Sequence, residues 1–255
     1  MEPVEDPTLR VMRKTIPRPP RARVGSPAPW AALPSAERHP ISLDRVRTVL
    51  AHSHPRRRGR AEPWRPADGD LRGGRPAAVL VPLFEEEGEA RVVLTVRSDR
   101  LRFHQGEVAF PGGRLDGDEG VVEGALREAA EEVGLDPGSV TVVAQLTAMP
   151  TISSDTVMTP VVATLAGRPS LTANPDEVDR IFDVALSRLA ADGVFHEEWW
   201  SVPGRAGATG VPDGEFPVWF FEVAGETVWG ATARTLVELL CLVLGVTPPR
   251  PLRPH

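Results

Sequence analysis

Residues 112–135, GGRLDGDEGVVEGALREAAEEVGL, place three carboxylates on a short length of predicted helix directly after a glycine-rich loop. At about 100° per residue, an apolar stripe of this helix faces a core, and Glu128, Glu131 and Glu132 lie off it along one flank. Because Glu128 and Glu132 are i, i+4 neighbours and Glu131 lies to the other side of Glu128, the three side chains are predicted to converge on one point. The stripe consists of Val122, Ala125, Leu126, Ala129 and Val133.

Carboxylates held this close together repel one another, so their cluster needs a cation among them. Hard oxygen ligands in this number suit Mg²⁺ or Mn²⁺ better than zinc. Gly112 and Gly113 allow a tight turn and a close approach of the backbone to such an ion. Gly134, followed by Pro137, is predicted to end the helix. The segment therefore predicts a divalent-metal site for phosphate chemistry.

These residues resemble the Nudix box, whose pattern is G-x5-E-x7-R-E-U-x-E-E-x-G-U with U an aliphatic residue. Ala129 is smaller than the aliphatic residue usual in the family. A solvated acidic helix face is the alternative interpretation, but the glycine loop, Arg127 and Gly134 also fit the pattern and favour a Nudix site. The matching residues are Gly113, Glu119, Arg127, Glu128, Ala129, Glu131, Glu132, Gly134 and Leu135.

The resemblance implies a metal-ligand set. Glu128, Glu131 and Glu132 would hold one or more divalent cations that bridge the substrate diphosphate, and the carbonyl of Gly113 would join them. The cation, Mg²⁺ or Mn²⁺, would neutralise phosphoryl oxygens and lower the pKa of a bound water.

The resemblance also implies catalytic roles for Arg127, Glu119 and Glu131. Arg127 would orient a metal-binding glutamate by ion pairing. Glu119 either closes the same network or forms a loop-to-helix salt bridge without a catalytic part. The general base is open between Glu131 and a downstream acidic residue such as Asp155 or Glu177.

A second motif lies immediately upstream, in LTVRS at residues 94–98 and LRFHQGEVAFPGG at residues 101–113. It resembles the signature of the coenzyme A diphosphatase branch of the Nudix family, roughly L-T-x-R-S-x-x-L-R-x-H-x-G-x-V-A-F-P-G-G. Coenzyme A carries a 3′-phosphate and a diphosphate, so Arg97, Arg100 and Arg102 are candidate cations for its phosphate oxygens, and Arg97 and Arg102 are the predicted substrate-binding residues. His104 either donates to a phosphate or braces the loop.

Three functions are compatible with these motifs. The first is metal-dependent hydrolysis of coenzyme A or an acyl derivative to 3′,5′-ADP and 4′-phosphopantetheine or its acylated form. The second is the same chemistry on another nucleoside diphosphate derivative, such as ADP-ribose or a dinucleotide polyphosphate. The third is a Nudix-like module that binds a nucleotide without cleaving it. The intact box disfavours the third, and the upstream signature favours the first over the second.

Composition agrees with an enzyme that acts on a small-molecule nucleotide. A chain of 255 residues, 41% of them hydrophobic, can bury a substantial core, and a net charge of −6 disfavours nucleic-acid binding. The single cysteine, Cys241, excludes an intrachain disulfide and is predicted to be a buried packing thiol. The apolar run at residues 236–244 is too short to cross a bilayer, and the amino terminus lacks a secretory signal. We therefore expect a cytoplasmic protein without a membrane partner. The oligomeric state is not fixed, and a homodimer is compatible with the sequence.

The chain is predicted to divide into a disordered Pro/Arg-rich arm at residues 1–28, a short helix and basic linker at 29–73, a hydrolase domain at 74–248 and a tail at 249–255. The arm offers little apolar surface, so it is expected to be dispensable. The short helix follows Ser42, a plausible N-cap. The arginines of the linker indicate either a solvated connection or a nucleic-acid contact.

Within the domain, the resemblance implies the α/β class. The resemblance implies the Nudix α/β/α sandwich, a mixed sheet between helices. Pro160 indicates an edge or an irregularity in its strand. Residues 229–233, WGATA, also resemble the coenzyme A branch and are predicted to cap and pack the last helix. Strands are predicted at 77–84, 90–97, 140–146, 157–165 and 218–223, helices near 186–192 and at 231–244, and residues 178–184 are ambiguous.

Overall fold

The computed structural model describes residues 16–53, 74–151, 156–201 and 215–249. The predicted basic linker, Asp155 and residues 250–255 lie outside them. The helices are α1 Ser35–Arg38, α2 Leu43–Ser53, α3 Val121–Val133, α4 Leu186–Leu189 and α5 Gly230–Leu244. The strands are β1 Arg23–Val24, β2 Arg75–Glu86, β3 Glu89–Arg97, β4 Val108–Ala109, β5 Gly112–Arg114, β6 Thr141–Gln145, β7 Met149–Pro150, β8 Thr156–Thr164, β9 Val178–Ala185, β10 Phe195–Ser201, β11 Glu215–Val223 and β12 Glu226–Trp229.

The strands form two sheets. The larger runs β4-β3-β2-β8-β6, with β5 also paired to β2, β7 to β8 and β9 to β3. Among the described pairs only β2 with β8 is parallel, so this sheet is mixed, as predicted. The second sheet, β1-β10-β11-β12, is antiparallel and was not predicted. Polar residues in β10 and the brevity of β12 hide the strand pattern in the sequence.

The large sheet is buried on both faces. Along β2, Ala78 and Leu80 pack with the apolar side of α3, which presents Ala125 and Ala129. The alternate residues, including Val81, face a second core formed with α2, α5 and the smaller sheet. This period of two is the geometry of a strand between two layers. The predicted α/β/α sandwich with a mixed sheet is therefore confirmed.

Pro160 lies in β8, between β2 and β6, rather than at a sheet edge. Its carbonyl accepts a hydrogen bond from the N–H of Leu146 (2.9 Å), at the gap between the pairings of β6 and β7 with β8. The nitrogen of Pro160, which carries no hydrogen, therefore faces a gap in the ladder of strand hydrogen bonds. A strand tolerates a missing backbone donor at such a gap. Residues 178–184, ambiguous in sequence, belong to β9 and pair with β3.

Predicted helix features have their expected partners. The N–H of Arg45 donates to the hydroxyl of Ser42 (3.2 Å), which confirms the N-cap of α2. α3 ends at Gly134, whose φ of 65° is left-handed. Cys241 is a free, fully buried cysteine, as predicted, and burial raises its pKa to about 12. No helix in the described segments is long and apolar enough to span a membrane.

Residues 16–28 were predicted to belong to a disordered arm, but in the structure they are ordered. Their strand β1 pairs with β10. The N–H of Ser26 donates to a carboxylate oxygen of Glu197 (2.9 Å). Glu197 is only 6% exposed and also accepts from the indole N–H groups of Trp199 and Trp219, at 3.0 and 2.8 Å. A buried carboxylate needs such donors. The segment is thus ordered by polar contacts, which its low hydrophobicity does not reveal.

We expect deletion of residues 1–28 to lower Tm by about 2–8 °C. The deletion removes the strand pairing of β1 and the backbone donor that Ser26 gives to Glu197, a loss of about 1–3 kcal/mol. The matched control is deletion of residues 1–15, which retains every contact described above. Differential scanning calorimetry measures both. Equal melting temperatures for the two truncations would show that residues 16–28 add no stability.

Candidate functional site

The glycine loop and the acidic helix meet at Gly113. β5 pairs with β2 so that Gly113 lies opposite Ala78, and α3 packs beside it. A Cβ built on Gly113 would lie 2.5 Å from the carboxylate atoms of Glu128, closer than any side chain tolerates. A side chain at position 113 would therefore displace the carboxylate of Glu128 from the place it occupies.

Arg127 is the centre of an ion-pair network beside this contact. Its Nε and Nη2 donate to the two carboxylate oxygens of Glu119, at 2.9 and 3.0 Å. Its Nη1 lies 3.0 Å from a carboxylate oxygen of Glu128 and 3.0 Å from one of Glu131, and Nη2 also donates to the carbonyl of Arg114 (3.0 Å). The forked hydrogen bonds from Arg127 hold the pKa of Glu119 below its usual range. Glu119 is thus bonded to the network rather than separate from it.

Glu132 is buried, which corrects the expectation that it lies off the packed side of the helix. Only 3% of its side chain is exposed. One carboxylate oxygen accepts from the N–H of Gly112 (3.1 Å), and the other lies 3.5 Å from Nη1 of Arg97. Burial raises the pKa of Glu132 to about 7, although the Gly112 N–H and Arg97 act in the opposite direction. The loop that carries Gly112 covers this side chain, and a helical projection cannot show that.

The three glutamates of α3 do not converge on one point. Glu131 is 56% exposed and is held by Arg127, its i−4 neighbour, whereas Glu132 turns towards Gly112. Within the described part of the chain, no group of three or more Asp, Glu, His or Cys side chains is close enough to form a complete metal site. Arg127 lies on the same flank of the helix and competes with a metal ion for Glu131.

Burial and mutual repulsion make Glu128 and Glu132 a fitting pair for a divalent cation. Burial raises the pKa of both carboxyls. The charge of Glu131 raises the pKa of Glu128 further, Glu128 raises that of Glu132, and Glu177, immediately before β9, raises both. Negative charge thus accumulates in a poorly solvated space, where Mg²⁺ or Mn²⁺ would compensate it with oxygen ligands. The backbone of Gly113 adjoins the carboxylate of Glu128, where its carbonyl would add a further oxygen.

The upstream motif forms the loop between β3 and β4. Arg97, the last residue of β3, contacts Glu132. Arg102, in the loop itself, is exposed and makes no ion pair with another described residue. His104 lies 2.9 Å from a carboxylate oxygen of Glu107. This pairing favours the bracing role, and the three-residue spacing of His104 and Glu107 was the signal available for it. The structure therefore brings Arg97 to the carboxylates but leaves Arg102 on the surface of the loop.

Comparisons with known proteins identify the family of this chain. The NUDIX domain family matches residues 74–204. Nudix hydrolase NudL of Citrobacter koseri is 36% identical over 182 residues, covering 71% of this chain and 88% of that protein. Nudix hydrolase 22, chloroplastic, of Arabidopsis thaliana is 38% identical over 178 residues, covering 66% of this chain and 55% of that protein. The crystal structure of a Nudix hydrolase from M. smegmatis, RenU, is 25% identical and has a TM-score of 0.40, covering 46% of this chain and 74% of that one.

The family match and the relatives define a hydrolase that acts on pyrophosphate bonds of small nucleotides. The chain belongs to the Nudix family. Enzymes of this family generally use divalent metal ions, and Glu128 and Glu132 fit that requirement.

Replacing Glu132 by Gln should stabilise the metal-free protein at alkaline pH. The pKa of Glu132 is about 7 in the fold against a usual 4.5, so the folded state binds more protons between these values. Stability therefore falls as pH rises through this window, by on the order of 1–3 kcal/mol. Gln retains an acceptor for the Gly112 N–H but carries no charge to bury.

We expect Glu132→Gln to raise the free energy of unfolding at pH 8 in EDTA and to change it little at pH 4.5, measured by urea titration. The matched control is Glu123→Gln on the same helix. It removes one charge and retains the hydrogen bond that Glu123 accepts from Gly120. A wild type as stable as Glu132→Gln at pH 8 would refute the burial penalty.

Proposed function

We propose that the protein hydrolyses the diphosphate of coenzyme A or acyl-coenzyme A, with Mg²⁺ or Mn²⁺, to 3′,5′-ADP and 4′-phosphopantetheine or its acylated form. One observation carries the proposal. Nη1 of Arg97 lies 3.5 Å from a carboxylate oxygen of Glu132. This contact joins the upstream motif to a carboxylate of the Nudix box, so a diphosphate bound there would have Arg97 beside it.

Arg102 is the best candidate for binding the 3′-phosphate. Arg97 is paired with Glu132, and Arg100 is paired with Asp176 at 3.1 Å. Arg102 is exposed and makes no ion pair with the described residues around it. An available guanidinium recognises phosphate oxygens through paired, charge-assisted hydrogen bonds. His104 supports the loop through Glu107 in this proposal.

A bound divalent cation would neutralise the diphosphate oxygens and acidify a water molecule. Glu128 and Glu132 hold the site, and Arg127 fixes the position of Glu128. The oxygen of water forms a bond to phosphorus while the bond from that phosphorus to the bridging oxygen breaks. Glu177 or Glu131 accepts the proton of water, and the bridging oxygen leaves on the second phosphate. Glu177 is favoured because its charge acts on both buried carboxylates, whereas Glu131 is held by Arg127.

Two other functions remain as alternatives. Hydrolysis of ADP-ribose or a dinucleotide polyphosphate would use the same carboxylates with a different contact to the rest of the substrate. A binding module without catalysis is disfavoured, because it needs no complete set of box carboxylates. A cytoplasmic location and a homodimer are further proposals from the sequence. The chloroplast named for the Arabidopsis relative is the alternative location.

A substrate panel tests the proposed reaction. We expect the full chain with Mg²⁺ or Mn²⁺ to convert coenzyme A to 3′,5′-ADP and 4′-phosphopantetheine, identified by mass, with higher kcat/KM than for ADP-ribose or dinucleotide polyphosphates. Glu128→Gln should reduce turnover by about 100-fold or more, because Gln keeps the size but not the charge. Glu123→Gln should turn over like the wild type. Preference for ADP-ribose would overturn the substrate, and wild-type turnover by Glu128→Gln would overturn the metal-ligand assignment.

The role of Arg102 predicts a preference for substrates with the 3′-phosphate. We expect kcat/KM for coenzyme A to exceed that for 3′-dephospho-coenzyme A by about 10–100-fold, the value of a charge-assisted hydrogen bond. Arg102→Ala should shrink this ratio towards one. Arg188→Ala, which removes an exposed arginine from α4, should leave it unchanged. Equal rates on both substrates in the wild type would exclude recognition of the 3′-phosphate.

A further inference from the structure

Phe103 is an exposed aromatic side chain in the loop between β3 and β4. Its exposed fraction is 76%, and in the part of the chain that the structure describes only Val24 is a comparably exposed large hydrophobic residue. A single apolar side chain at a surface needs no special explanation. Phe103 is distinguished by its position, because it directly follows Arg102 in a loop that begins at the carboxylate site.

The loop is attached to the carboxylate site at its base. Arg97, the last residue of β3, lies 3.5 Å from a carboxylate oxygen of Glu132. The next residue, Ser98, is fully buried and donates its N–H to the carbonyl of Glu177 (2.8 Å). The charge of Glu177 acts on both Glu128 and Glu132. A diphosphate held at these carboxylates would therefore lie beside the start of the loop.

The tip of the loop is within reach of a nucleotide that is bound at its base. The N–H of Gly106 donates to the carbonyl of Arg97 (2.9 Å), so the loop closes where it begins. Phe103 is three residues before Gly106. Three residues of chain span at most about 11 Å, and a nucleoside diphosphate extends over a comparable length from its outer phosphate to its base. A substrate with its diphosphate beside Arg97 can therefore bring its base to Phe103.

Hydrogen bonds hold the backbone around Phe103 in place. The side-chain amide of Gln105 donates to the carbonyls of Asp99 and Leu101, at 2.7 and 2.6 Å. The N–H of Asp99 donates to a carboxylate oxygen of Asp179 (3.2 Å), which fastens the loop to β9. The ring of Phe103 is thus presented from a loop that is organised before a ligand binds. Such organisation lowers the entropy cost of binding.

The groups along the loop match the chemistry of a nucleotide with a 3′-phosphate. The ribose of such a nucleotide carries the 3′-phosphate and the base on the same ring. The loop offers a guanidinium at Arg102 and an aromatic face at Phe103, in adjacent residues. A guanidinium binds phosphate oxygens, and an aromatic ring stacks on the flat face of a base. A purely apolar ligand would use the ring but leave the neighbouring guanidinium without a phosphate.

We propose that Phe103 stacks on the nucleobase of the substrate, which in coenzyme A is adenine. The ring covers one face of the base, while Arg102 binds the phosphate on the adjoining ribose. This rests on the proposed coenzyme A substrate, and it makes Phe103 a residue that adds affinity for the nucleoside end of that substrate. The 4′-phosphopantetheine end does not contact it.

Two ligands that differ only in the base isolate the contribution of stacking. They are 3′,5′-ADP and 1-deoxyribose 3,5-bisphosphate, and titration calorimetry of the full chain with Mg²⁺ measures Kd for each. The wild type should bind 3′,5′-ADP more tightly by about 5–100-fold, the value of stacking a base on an aromatic side chain. Phe103→Leu keeps an apolar side chain without a ring face, so it should reduce this ratio to less than about threefold. Phe103→Trp should retain the ratio.

Val24→Ala is the matched control, because it alters the other exposed large hydrophobic residue, on β1. Its ratio should equal that of the wild type, and thermal melting shows that each variant is folded. A ratio near one in the wild type, or a wild-type ratio in folded Phe103→Leu, would overturn the stacking. An equal fall of the ratio in Val24→Ala would also overturn it, as would a wild type that does not bind 3′,5′-ADP.

Failure of the proposed reaction is read separately, from the substrate panel. If coenzyme A is not hydrolysed but the ratio depends on the ring of Phe103, the stacking stands and the substrate assignment fails. If coenzyme A is hydrolysed and Phe103→Leu keeps the wild-type ratio, the reaction stands and the stacking fails.

Discussion

The contact between the carboxylate of Glu128 and the backbone of Gly113 is the constraint on which the site depends. The contact depends on the pairing of β5 with β2 and on α3 lying directly against that pairing. The approach is so close that a Cβ added at Gly113 would lie 2.5 Å from the carboxylate of Glu128. The small side of α3, with Ala125 and Ala129 buried at 0% exposure, allows that close packing on the sheet. Gly113 and the alanine-lined side of α3 in this chain thus serve one geometric purpose.

Charge balance is the second condition for the site. Arg127 ties Glu119, Glu128 and Glu131 into one network, while Glu132 is left in a poorly solvated place with Arg97 at 3.5 Å. The raised pKa of Glu132 indicates that the protein alone does not fully compensate its charge. A divalent cation would complete the balance. Binding the cation and stabilising the fold at alkaline pH are therefore linked.

Local motifs predicted the Nudix box, the α/β class, the N-cap at Ser42 and the buried Cys241, because each depends on residues close in sequence. The features that sequence analysis missed depend on distant partners. The burial of Glu132 comes from Gly112 on another element, and the order of residues 16–28 comes from Glu197, far along the chain. The turn of Glu131 towards Arg127 was available from their spacing, but its competition with metal binding was not weighed. Patterns of hydrophobicity do not report such polar contacts.

Binding of Mn²⁺ to Gly113→Ala tests the central claim most directly, because this variant keeps every carboxylate and disturbs only the space that Glu128 occupies. Electron paramagnetic resonance titration at constant pH measures free and bound Mn²⁺. Gly167→Ala is the matched control, since a Cβ there meets open space. We predict that Gly113→Ala weakens Mn²⁺ binding by about 10–100-fold and that Gly167→Ala leaves it unchanged. Wild-type affinity in a folded Gly113→Ala protein would contradict the account.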